Sequence, residues 1–157
     1  NEDNEDNVAE NGEDEDNKGS IVKAVTYNQI RDITLERKSV LHWQDTSDYL
    51  LLNGFFVRVP VLRTESKSYL LAEISEVTKL EESDVESLEG VAVKYGLRLK
   101  IPEVDDLVNA GVQHVSSHGL TEGEFEEYKN HATLPSREHI KDKLATKKIF
   151  EKRQGKQ

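Results

Sequence analysis

Apolar residues Ile30, Ile33, Val40 and Trp43 recur at mixed helical intervals in "VTYNQIRDITLERKSVLHW", with Asp32 and Thr34 placed to cap or break between turns. The pattern predicts a short helical turn and then a helix from about Leu35 to Trp43. "QDTSDYLLLNG" offers Asp45, Thr46 and Ser47 as N-caps and Asn53-Gly54 as a stop, a second short helix. From Gly54 the period changes. "GFFVRVPVL" is dense in aromatic and β-branched residues, and Pro60 assigns it to an edge or a strand end. "KSYLLAEISEV" and "YGLRLKI" alternate apolar Leu70, Ala72, Ile74 and Leu97, Leu99, Ile101 with other residues and predict two more strands. The acidic "TKLEESDVESLEG" between them reads as a loop or a turn of helix, and "GVQHVSS" as a shorter fourth strand.

Thr121 followed by Glu124 has the spacing of a capping box, so a helix should run from there towards His131. Pro135 or Ser136 opens a last helix whose apolar stripe is Ile140 and Leu144; its next step is Lys147 or Lys148, and Ile149 turns away. Helices, several short strands, then helices, without βαβ alternation, define an α+β class: a small antiparallel β-barrel or curled sheet flanked by helices.

Length and charge add the division of the chain. At 157 residues it should hold one core. Residues 1–20 carry nine acids against Lys18, a net of −8 out of the chain's −10, leaving −2 for the rest. So few of those twenty residues are apolar that burial cannot offset the entropy of ordering them, which predicts a disordered acidic tail. It is either a solubilising linker or an arm that mimics nucleic acid or repels it from a basic face. The ordered domain is expected over residues 21–149, with 150–157 a basic end that frays. The chain has no methionine and is expected to be a piece of a longer protein. No apolar run approaches the roughly 18 residues of a membrane span.

Without cysteine there is no disulfide, thiolate metal site or thiol nucleophile. P-loop, GxGxxG, HExxH and GxSxG motifs are missing as well, which argues against an enzyme and against a bound cofactor. His114 and His118 lie four apart, but no third ligand has an obvious spacing, so no metal is expected. Cations are more informative. Arg37 and Lys38 interrupt an apolar helical pattern, Arg58 lies inside "FFVRVP", Arg63 follows it, and Arg98 and Lys100 face away from the apolar side of their strand. Converging, they would hold a phosphate or a run of phosphates. Arg58, beside Phe56 and Val57, should be partly buried and needs a partner, either Glu73 or a ligand.

Leu35, Arg37, Val40 and Trp43, then "GFFVRV" from Gly54, Tyr69, Ala72 and Ile74, then "VSSHGLTEGEF" from Val115, and finally Leu134-Pro135, together resemble the Plus-3 domain of the Rtf-type subunit of the Paf transcription elongation complex. The resemblance runs from about Val25 to Ile149. It implies a Tudor-like β-barrel between N- and C-terminal helices. It also implies a nuclear, monomeric, non-catalytic module that reads phosphorylated C-terminal repeats of the large DSIF subunit and ties the Paf complex subunits to RNA polymerase II. By the same resemblance Arg37 and Arg58 fall on phosphate-contacting positions, Tyr69 belongs to that pocket, and His114 stands where an aromatic packs on the peptide. Leu70 and the segment 105–112 lack arginines that the family carries there. A nucleic-acid module is the alternative: Arg58, Arg98 and Lys100 would track the phosphates of single-stranded DNA, with Tyr69 or Tyr95 stacking on bases. A third reading is a scaffold that docks through Ile140 and Leu144.

Overall fold

The computed structural model describes residues 24–44, 49–62 and 67–155. The acidic residues 1–20, the proposed caps Asp45 to Ser47, and Arg63 lie outside the described residues. Helix α1 (Tyr27–Asp32) opens with a capping box between Thr26 and Gln29. Strand β1 (Thr34–Leu35) leads into α2 (Arg37–Gln44), and a 3₁₀ turn at Tyr49–Leu52 closes the helical N-terminal part.

Strands β2 (Phe56–Leu62), β3 (Lys67–Lys79), β6 (Tyr95–Lys100) and β7 (Val108–Ala110) pair antiparallel, and β1 adds in parallel to β2, giving the order β1-β2-β3-β6-β7. Strands β4 (Glu86–Leu88) and β5 (Val91–Val93) form a separate hairpin. The α+β class holds, but the expected barrel does not close. Closure needs hydrogen bonds between the first and last strands. Here β1 has two residues and β7 three, and the β4–β5 hairpin pairs with itself instead of extending the sheet. The strand expected at "GVQHVSS" is also corrected. Its buried apolar residues, Val112 and Val115, are three apart, a 3₁₀ period, and the chain forms a 3₁₀ turn at Val112–His114 just after β7.

Alternation along β2 and β3 sorts side chains onto two faces. Val57 and Ala72 oppose one another on one face, while Phe56, Arg58, Tyr69, Leu71 and Glu73 share the other. Helix α3 (Glu122–His131), with the capping box expected at Thr121 and Glu124, covers this second face and sets Tyr128 edge-on to Phe56 at 5.6 Å. Helix α4 (Arg137–Gly155) spans the N-terminal elements. The fraying expected from residue 150 is corrected, because Phe150 is 1% exposed and stacks on Trp43 at 4.2 Å. Ile149 is 51% exposed, as the stripe required.

Candidate functional site

Residues Val115 to Leu120 join the elements that carry the cations. The Ser116 amide donates to the Arg58 carbonyl at 2.9 Å, and the Arg37 amide donates to the Ser116 carbonyl at 3.0 Å. The Tyr27 hydroxyl donates to the Leu120 carbonyl at 2.6 Å and fastens α1 to the same segment. One loop is thereby held between β2 and the start of α2, and both arginines send their side chains to it.

Arg58 is 7% exposed. Its Nε and Nη2 donate to the two carboxylate oxygens of Glu124, each at 2.6 Å, while Nη1 donates to Ser116 Oγ at 2.7 Å and to the His118 carbonyl at 3.2 Å. The guanidinium also stacks on the Tyr69 ring, 4.5 Å from its centroid. The burial expected for Arg58 is present, but the partner is Glu124 rather than Glu73. An arginine bonded on all three nitrogens has little left for a phosphate, so Arg58 and Tyr69 form a structural clasp. Glu73 instead lies opposite Phe56 on β2 and Lys100 on β6. Burial, reinforced by the charge of Glu73, pushes the Tyr128 phenol up to about 12.

Arg37 is differently placed. It is the first residue of α2, and its Nε donates to the Val115 carbonyl at 2.9 Å. Nη1 donates to Glu89 Oε2 at 3.1 Å, and the side chain keeps 28% exposure. Nη2 makes no hydrogen bond among the described residues. A cation in the first turn opposes the helix dipole, a local cost that an anion would reverse. Lys38 is exposed. His114 is exposed at the end of the 3₁₀ turn, carried by buried Val112 and Val115.

A cleft of about 630 Å³ separates the β4–β5 hairpin from β6–β7, lined by Leu88, Val93, Leu97, Arg98, Asn109 and Gln113 among others. Arg37 does not line it but is tied to its rim, since its ion-pair partner Glu89 follows Leu88 and its carbonyl partner Val115 lies two residues after Gln113. Arg98 pairs with Glu76 at 3.2 Å on the exposed surface, and Lys100 is exposed opposite Glu73. The structure therefore joins Arg58 to Tyr69 and, through Ser116, to Arg37, while Arg98 and Lys100 sit on β6 between carboxylates. Sequence reasoning missed Glu89 and Ser116. The signal for Glu89 was "LEGV", two apolar residues around a two-residue Glu-Gly turn, which marks a hairpin. Among the described residues no group of His, Asp or Glu is placed to hold a metal, and no helix is long and apolar enough to cross a membrane.

The described fold is an open sheet flanked by helices at both ends. The chain belongs to the Plus-3 domain family, whose model matches residues 29–133. That span contains Arg37, Arg58, Tyr69, Glu89, the cleft and Glu124, and stops before α4. The family is one of binding modules associated with transcription elongation and nucleic-acid binding. Comparison with curated proteins found no match.

Proposed function

We propose that this chain is a non-catalytic peptide-reading module that acts in the nucleus. It takes phosphorylated C-terminal repeats of the DSIF large subunit, and so couples the Paf complex to elongating RNA polymerase II. The observation that carries this reading is Arg37, whose guanidinium is anchored by a backbone carbonyl, keeps Nη2 without a hydrogen bond among the described residues, and pairs with Glu89, the neighbour of the cleft-lining Leu88. An arginine held in this way donates to a phosphate without first losing much side-chain entropy. The cleft is large enough for a few residues of extended peptide, and His114 follows its lining residue Gln113. Arg58 supports the site indirectly by fixing Ser116, which receives the Arg37 amide.

The test is an amide NMR titration with a phosphothreonine repeat peptide, its unphosphorylated form and a short single-stranded DNA. Shifts around Arg37, Gln113 and His114 with the phosphopeptide alone are expected. Arg37→Ala should weaken that binding at least about tenfold, as loss of charge-assisted hydrogen bonds requires, with the melting temperature lowered by no more than about a few degrees. Shifts centred on Arg98 and Lys100 with DNA alone would replace the peptide reading by the nucleic-acid one.

A further inference from the structure

We infer that Glu89 is a built-in competitor for the anion at Arg37, so that a ligand phosphate binds by displacing the tip of the β4–β5 hairpin. The inference rests on the reading of Arg37 as the phosphate contact. Leu88 and Val91 pair across a two-residue turn in which Glu89 has φ 52° and Gly90 φ 81°. Turns of this kind favour Asn, Asp or Gly at the first position, because a longer side chain is disfavoured in the left-handed region. Glutamate is thus a poor local choice, and among the described residues its one ion pair is with Arg37, at 3.1 Å.

The pair has the form of the proposed complex, with a carboxylate oxygen where a phosphate oxygen would sit. A ligand carboxylate entering there exchanges one monoanion for another and gains little. A phosphate brings nearly two charges and three acceptor oxygens, and gains on exchange. Glu89 therefore lowers the affinity of the site for every anion and leaves measurable binding to phosphate. The pair is half exposed on the glutamate side, so the competition amounts to a small factor, about two- to fivefold.

The experiment measures affinity of the whole chain for a phosphothreonine peptide and for the same peptide with glutamate in that position. Glu89→Gln should tighten both about two- to fivefold. Glu89→Asn, uncharged and suited to the turn, should do the same. Exposed Glu81→Gln, an equal change of net charge, should alter neither. In the unmutated protein the amides of Glu89 and Gly90 should shift as phosphopeptide is added. If Arg37→Ala loses binding while both Glu89 variants bind unchanged or more weakly, Glu89 orients Arg37 and the competition is refuted with the phosphate site intact. If Arg37→Ala binds as before, both readings fall.

Discussion

Two arginines that look equivalent in the chain are held in different ways. Arg58 joins β2 to α3 through a bidentate bond to Glu124, with side-chain exposures of 8% and 15%. Removing either partner strands a nearly buried charge, so Arg58→Ala should cost about 3 kcal/mol or more in urea denaturation, whereas Arg37→Ala, from a partly exposed pair, should cost less than about 1 kcal/mol. Loss of peptide binding together with the fold in Arg58→Ala, and without it in Arg37→Ala, would separate the clasp from the contact. That Arg58 needed a partner was legible from its apolar neighbours. The identity of that partner was not, although Glu124 had already been picked out as a helix cap. Its Oε1 takes both the Thr121 amide at 3.2 Å and Arg58 Nε, and a local spacing rule says nothing about a strand 66 positions away. Tyr128 gives a second check. Its phenol titrates higher in the fold than the usual value near 10, so its contribution to stability is complete below pH 10 and is lost as pH rises towards 12. Absorbance titration of phenolate should show a late component that is missing in Tyr128→Phe.

At the scale of elements, α4 was the least legible. Its contact stripe is Ile140, Lys143, Leu144, Lys147 and Phe150, so the expected Ile140–Leu144 pair packs as read, and two of the five are lysines that hydropathy counts as solvent-facing. Each lysine lays its stem on the protein and ends on a carbonyl: Lys143 Nζ donates to Asn53 O at 2.7 Å, and Lys147 Nζ to Asp32 O at 2.8 Å. His139 Nε2 donates to Gly54 O at 2.8 Å. The last helix therefore closes the ends of earlier turns, and the apolar stripe resumes at Phe150. Phe150→Ala should cost about 3–5 kcal/mol and alter the fluorescence of Trp43, the chain's sole tryptophan. Gly54 is the complementary position. It has φ +92°, and a Cβ there would lie 2.8 Å from Lys143 Cε and 2.9 Å from His139 Cε1. Gly54→Ala combines a disfavoured backbone with a displaced cap, and a loss of at least about 1 kcal/mol is expected in thermal or urea unfolding.

Across the whole molecule, the succession of helices, strands and helices was readable from periodicity alone, because each element carries its own pattern. Closure was not, because it depends on whether the first and last strands are long enough to meet, and their two and three residues carry too little pattern to show it. Charge is the other whole-molecule property, and it governs ligands of either proposed class. Residues 1–20 hold −8 of the net −10, so an approaching phosphopeptide or DNA meets a like-signed field wherever that segment lies within a screening length of the site. Deleting residues 1–20 should raise the association rate for the phosphothreonine peptide at low ionic strength. The difference should vanish near 1 M salt, where the screening length falls to roughly 3 Å. Stopped-flow binding across a salt series measures it. Equal rates at every salt concentration would make the segment an electrostatically silent linker. A separate comparison of salt slopes identifies the ligand, since a single phosphate held by Arg37 gives a shallow dependence and a run of DNA phosphates gives a steep one.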